Sequence, residues 1–183
     1  MTGLYGGAFD PPHLGHVAVA DAAKRHFGLP RLIVLVAERP GHKDVHLPAE
    51  TRLELARAAF PADDVRLDPY PRTIDLLRSE PFDDPVFVIG ADEFCDFRSW
   101  KEPDAVLELA RLGVATRPGY PSERLQTVLD SLARPARVEF FAIEPNAAAS
   151  REIREAAAAG ASLASVPDAV AALIRERRLY ARD

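Results

Sequence analysis

Thr2-Gly3-Leu4-Tyr5-Gly6-Gly7-Ala8-Phe9-Asp10-Pro11-Pro12-His13-Leu14-Gly15-His16 opens the chain and decides how the rest of it is read. The apolar pair Leu4-Tyr5 predicts a buried first strand, and Gly6-Gly7 lets the backbone turn sharply and come close to a ligand. Proline is tolerated at a helix start, where the N–H has no intrahelical partner in any case. His13 to Phe27 then reads as a helix with a broad apolar surface (Leu14, Val17, Ala18, Ala20, Ala22, Ala23), ended by Gly28 and Pro30. Three-residue spacing puts His13 and His16 on one side of the first turn. Unpaired N–H groups and the positive end of the helix dipole already favour an anion there. An isolated H-x-x-H reads more plainly as a cap and a surface residue. The full string G-G-x-F-D-P-x-H-x-G-H is long enough to favour a phosphate site.

Length and composition bound the remainder. The 183 residues suit one domain, 1–183, with a helical part from about 150 to 183. An apolar fraction of 48% and a charged fraction of 28% are those of an ordinary globular protein. A net charge of −5 argues against a general nucleic-acid surface, although not against a local basic pocket for one nucleotide. Cys95 is the only cysteine, which rules out an intrachain disulfide and a cysteine zinc cluster. Neither a signal-like start nor an apolar run of membrane-spanning length is present, so a cytoplasmic protein without a membrane partner is expected. Neither the small-residue runs nor the acidic charge chooses between a monomer and a homo-oligomer.

The chain alternates strand-like and helix-like segments. Arg31 to Ala37 is a near-continuous apolar run, the mark of a parallel strand covered on both faces. The loop Glu38 to Pro48 gathers Arg39, His42, Lys43 and His46. Ala49 to Phe60 reads as a helix with Leu53, Ala56 and Phe60 on one face, and Val65 to Leu67 as a short strand. Thr73 to Ser79 is a short helix for which Thr73 is the expected cap. Strands are predicted at 85–89, 112–116 and 138–143, and helices at 102–110, 121–132, 150–159 and 167–178. This alternation predicts an α/β fold, a Rossmann-like doubly wound parallel sheet with helices on both faces. Gly6, Lys43, Asp92 and Arg117 all fall in predicted loops just after strands, and so share one edge of the sheet.

Taken singly, the later features have plain readings. Lys43 is a solvated charge, Gly90-Ala91-Asp92 a turn, Trp100 a packed ring, Arg117 part of a strand-to-helix turn, and Ser150 a cap. Their succession changes this. G-G-A-F-D-P-P-H-L-G-H, then G-H-K, T-I-D, V-I-G-A-D…W-K…R-P-G-Y and S-R-E-I-R resemble, across nearly the whole chain, the bacterial nicotinate-nucleotide adenylyltransferases of the H-x-G-H nucleotidylyltransferase superfamily. The resemblance implies transfer of the adenylyl group of ATP to nicotinate mononucleotide, giving deamido-NAD and pyrophosphate, with Mg²⁺ carried by the ATP and few or no protein ligands to the metal.

The same resemblance assigns residues. His13, His16, Lys43 and Arg154 would contact the reacting phosphates. Gly6, Gly7, Phe9, Gly90, Asp92 and Ser150 would complete the ATP site. Thr73, Trp100, Lys43 and Arg117 would hold the acceptor, the indole stacking on its cationic pyridine ring. The chain departs from the family pattern in three places. Ala149 and Arg151 replace a serine and a threonine of the usual I-S-S-T-x-I-R block. Pro71-Arg72 stands where a serine–tyrosine pair is common, and Arg39-Pro40-Gly41 replaces the asparagine–proline run before Lys43. Two alternatives stay open: a related adenylyltransferase with nicotinamide mononucleotide or phosphopantetheine as acceptor, and a nucleotide-binding sensor without turnover.

Overall fold

The structure, a computed structural model, describes residues 1–41, 44–144 and 148–181. Within them six strands form one sheet: β1 (Thr2–Gly7), β2 (Leu32–Ala37), β3 (Asp64–Asp68), β4 (Pro85–Gly90), β5 (Arg111–Thr116) and β6 (Val138–Ala142). All neighbours are parallel, in the order β3-β2-β1-β4-β5-β6. The chain winds outward from β1 in one direction and then, from β4, in the other, so the order reverses between β1 and β4. In such sheets the ligand crevice lies beyond the carboxyl ends of the strands at that reversal. Pairing of β1 with β4 runs from Thr2↔Pro85 to Tyr5↔Val88, while β1 continues to Gly7 and β4 to Gly90. The strand ends therefore part where a ligand would enter.

Among the described residues eight helices surround the sheet: α1 (Leu14–Phe27), α2 (Ala49–Ala59), α3 (Thr73–Ser79), α4 (Ala91–Cys95), α5 (Pro103–Leu109), α6 (Ser122–Asp130), α7 (Ser150–Ala158) and α8 (Asp168–Glu176). Short 3₁₀ turns at Phe97–Ser99 and Pro135–Arg137 complete the described elements. The apolar strands alternate between two cores. Tyr5, Val34, Val36 and Val88 face the layer that includes α1, α2 and α8. Leu4, Leu35, Phe87 and Ile89 face the layer of α3 to α6. Because both faces are covered, the inner strands β2 and β4 carry no polar side chain, whereas the edge strand β3 carries Asp64, Arg66 and Asp68.

Several boundaries and faces differ from the sequence reading. His13 is the N-cap of α1 rather than its first residue, and Leu14 is exposed. Gly6 lies within β1, and Asp92 lies in α4, a helix not foreseen, rather than in a loop. Thr73 does not cap α3; the N-cap position is Arg72, with no side-chain bond. Ser150 is likewise the first residue of α7, and no side chain caps that helix. The Leu53–Ala56–Phe60 stripe does face the core, with Ala56 and Phe60 buried and Leu53 partly buried, and Arg52, Leu55 and Ala59 of α2 widen the buried face beyond it. Gly28 ends α1 in the left-handed conformation at φ 64°, as its position after the apolar run predicts.

Close approach of α1 to the sheet depends on Gly113 in β5. A Cβ there would stand 2.7 Å from the Phe27 ring and 3.3 Å from Val86. Gly113→Val is expected to lower the unfolding free energy by about 1–3 kcal/mol, as overpacked cores do. A reduced urea midpoint is the readout; an unchanged midpoint would show that α1 moves off the sheet without cost.

Candidate active site

A cleft of about 630 Å³ opens at the reversal point. Its walls include Gly6, Gly7, Phe9, His13, His16, Gly90, Asp92, Arg117, Ser150 and Arg154, which are ten of the sequence-assigned residues. Lys43 lies outside the described residues. Thr73 and Trp100 are not among the lining residues.

The two histidines form the centre. The His13 amide donates to His16 Nδ1 at 3.2 Å, and the His16 amide donates to His13 Nδ1 at 3.3 Å. This is a capping box in which imidazoles replace the usual hydroxyl and carboxylate. The rings stack with centroids 3.7 Å apart. Since a backbone N–H can only donate, each Nδ1 is an acceptor, and the proton of each neutral ring sits on Nε2. Burial also pushes the His13 imidazole down to about 4, so it is uncharged near neutrality. The arrangement supplies preoriented N–H donors at a helix N-terminus.

Beneath them lies Phe9, 1% exposed, with its ring 5.1 Å edge-on from His16 and 5.6 Å from both Tyr5 and Phe60. Its backbone is left-handed at φ 51°. A Cβ at Gly7 would meet the Phe9 ring at 2.8 Å, so glycine is required for that ring to fold under the loop. Phe9 thus acts chiefly as the floor of the histidine pair.

The rest of the glycine-rich loop is fixed through its carbonyl groups and Asp10. Arg52, 1% exposed, donates to the carbonyls of Leu47, Ala8 and Glu38 at 3.1, 2.7 and 3.2 Å. Arg154 Nη1 donates to the Asp10 carbonyl at 2.7 Å, and Ser150 Oγ to the Pro11 carbonyl at 2.9 Å. The buried Asp10 carboxylate accepts from the His46 amide at 2.5 Å and the Tyr180 hydroxyl at 2.8 Å. Arg52 and Tyr180 escaped the sequence reading: an arginine in an amphipathic helix gives no sign of burial, and Tyr180 meets Asp10 only in three dimensions. Asp10 was visible as part of the quoted string but carried no role.

On the β4–β5 side, Tyr120 donates to Asp92 Oδ1 at 2.9 Å, and Arg117 Nη2 stands 4.0 Å from Asp92 Oδ2. Cys95 Sγ lies 3.4 Å from the Tyr120 hydroxyl. Burial, with the Cys95 and Asp92 bonds, raises the Tyr120 phenol above its ordinary range. Trp100 packs edge-on against Phe97 at 5.3 Å and Phe87 at 6.2 Å. Phe87 in turn reaches to 3.1 Å of where a Gly6 Cβ would be. The Trp100 segment is tied to α3 by Lys101–Asp75 at 2.8 Å and by two Arg78–Glu102 bonds at 3.0 and 2.6 Å. Trp100 thus packs on Phe87, whose ring approaches Gly6, while neither Trp100 nor Thr73 lines the cleft.

Comparisons with known proteins agree with this geometry. The cytidylyltransferase-like family model matches residues 4–156. A protein of Rubrobacter xylanophilus named "Probable nicotinate-nucleotide adenylyltransferase" is 34% identical, covering 100% of this chain and 92% of that protein. One of the same name from Thermus thermophilus is 37% identical, covering 97% and 98%. Among solved structures, the nicotinic acid mononucleotide adenylyltransferase of Plasmodium falciparum complexed with NaAD superposes with a TM-score of 0.76. Its identity is 17%, over 98% of this chain and 96% of that one, a likeness of fold. With identity of this order from end to end, the chain belongs to the nicotinate-nucleotide adenylyltransferase family, on a cytidylyltransferase-like fold.

Proposed function

We propose that this protein transfers the adenylyl group of ATP to nicotinate mononucleotide, forming deamido-NAD and pyrophosphate in NAD biosynthesis. The observation that carries the reading is the stacked histidine pair, capping a helix N-terminus in the cleft where the strand order reverses. An oxygen of the acceptor phosphate attacks the α-phosphorus in line. The new P–O bond forms as the bond to the β-phosphate oxygen breaks, and pyrophosphate leaves with the electron pair. No enzyme nucleophile is needed, because the attacking phosphate is ionised near neutrality. The protein's task is positioning and stabilisation of charge on the phosphorus oxygens.

In this mechanism the Nε2–H groups of His13 and His16 donate to the α-phosphate, His16 most directly in the transition state. Arg154 and Ser150 would face the β- and γ-phosphates, and Lys43, outside the described residues, is assigned to the phosphates by the family pattern. Gly6 and Gly7 let the backbone approach the nucleotide, while Gly90 and Asp92 lie beside the ribose. When bound with the ATP, Mg²⁺ would supply neutralisation of the phosphate charge. Among the described residues no group of three or more His, Cys, Asp or Glu side chains is placed to hold a metal ion. Trp100, with Thr73 and Arg117, recognises the acceptor. No described helix is long and apolar enough to cross a membrane.

Pyrophosphate release with Mg²⁺-ATP and a panel of nicotinate mononucleotide, nicotinamide mononucleotide and phosphopantetheine tests the reading. Strong preference for the first supports it. Turnover with another acceptor reassigns the acceptor wall, and ATP binding without turnover points to a sensor.

His16→Ala should lower kcat by about 10²–10³, the usual effect of deleting one transition-state donor, with little change in melting temperature; a rate near wild type removes His16 from the chemistry. Trp100→Ala should raise the acceptor KM about three- to thirtyfold, the range of a cation–π contact, with the ATP KM unchanged. Equal loss of both affinities would make the indole a packing residue only. His13 adds a pH dependence to stability. Its pKa is about 4 in the folded chain against 6.5 ordinarily, so the unfolded chain binds the proton more readily. Stability from this group is full above 6.5 and falls as pH drops towards 4. His13→Asn, which retains a capping acceptor, should flatten that part of a pH series of urea midpoints; an unaltered slope would mean that His13 titrates normally.

A further inference from the structure

Helix α7 presents Ser150, Arg151 and Arg154 to the cleft and commits two of them to the glycine-rich loop. Arg151 is bound differently. Its Nε meets Glu155 Oε1 at 3.0 Å, one turn along the same helix, with the two side chains 83% and 60% exposed. Exposed ion pairs at this helical spacing are among the weakest in proteins. The guanidinium is thus located without being committed to the fold.

Its location is distinctive. Arg151 and Arg154 line both the main cleft and a second cavity of about 560 Å³, which Glu155, His46 and Tyr180 also border. Arg154 is tied to the Asp10 carbonyl, so Arg151 is the shared cation held only by a neighbouring carboxylate on its own helix. A polyphosphate offers several negative charges and paired oxygens that match a guanidinium fork, whereas Glu155 offers one charge in open solvent.

We propose that Arg151 is a releasable clamp for the polyphosphate end of the nucleotide, drawn off Glu155 by the β- and γ-phosphates and accompanying departing pyrophosphate at the border of the two cavities. Glu155 is the competitor that takes the guanidinium back and lets the product go. This rests on the adenylyl-transfer reading and adds to it a contact made by a residue where the family pattern has threonine.

Calorimetric titration of the full chain with ATP, AMP and inorganic pyrophosphate, each with Mg²⁺, separates this role from a structural one. Arg151→Thr should weaken ATP and pyrophosphate binding about three- to tenfold, a partly exposed charge-assisted contact, and leave AMP binding unchanged. Glu155→Gln should act in the opposite direction, tightening pyrophosphate binding about two- to threefold and deepening product inhibition, and should have no effect once Arg151 is replaced. Arg151→Lys, which keeps the charge but not the fork, should fall between. Unchanged pyrophosphate affinity in Arg151→Thr, or equal loss for AMP and ATP, overturns the clamp; an inert Glu155→Gln overturns its release by competition. If wild type binds pyrophosphate through Arg151 yet makes no dinucleotide, the clamp stands and the reaction reading fails. If it turns over normally and neither variant shifts binding, the clamp alone fails.

Discussion

A buried guanidinium has to have its donors satisfied, and in this protein that requirement shapes the active-site edge. Arg52 finds its acceptors in the carbonyls of Ala8, Glu38 and Leu47, which belong to the loop after β1, the end of β2 and the segment leading into α2. No other described charged residue is as deeply buried. Burial pulls its pKa down, and the Asp10 carboxylate is foremost among the charges that oppose the shift. Loss of any of the three carbonyls would leave a desolvated donor, which is more costly than the bond itself is favourable. The three loops are therefore constrained together, and the glycine-rich loop takes one shape before any ligand arrives.

The way that loop is held also prepares it electrostatically. Carbonyl oxygens repel a phosphate. Those of Ala8, Asp10 and Pro11 are each covered by a donor, from Arg52, Arg154 and Ser150 respectively. Meanwhile the reciprocal capping of His13 and His16 fixes the ring proton on the side away from the backbone. One set of hydrogen bonds thus removes repulsion and another orients attraction. Neither needs to be made at the moment of reaction, which is what preorganised catalysis requires. Through Tyr180, Arg154 and the Arg177–Glu54 pair, the C-terminal helices belong to the same scaffold.

The sequence announced this half of the site because its determinants are local. Strand, glycine pair, proline and two histidines occupy one short stretch, and the alternation of apolar runs with helices was enough to predict a parallel sheet and its ligand edge. What stayed hidden depends on contacts between distant segments. Arg52 reads as a solvent-facing residue because an amphipathic pattern assigns charge outward, and only the carbonyls converging on it reverse that. Helix α4 is too short for a periodic signal, so Asp92 looks in sequence like part of a turn. The residue type of Thr73 suggests a cap, yet Arg72 occupies that position. Trp100 packs on Phe87 and lies outside the cleft lining, a relation that no spacing along the chain encodes.

Backbone strain marks both halves of the site. Phe9 and Glu102 are non-glycine residues in left-handed conformation, at φ 51° and 52°, and such residues cost about 1–3 kcal/mol unless their surroundings over-determine them. Phe9 is held by its ring among Tyr5, His16 and Phe60. Glu102, two residues beyond Trp100, is held by both nitrogens of Arg78. The Glu102 carboxylate is drawn below its ordinary range by that pairing. The supports differ in kind. Aromatic packing in a dry interior tolerates little displacement, whereas an exposed ion pair is weak and screened by salt. The Phe9 support is consequently the rigid one, and the Glu102 support is the weaker of the two.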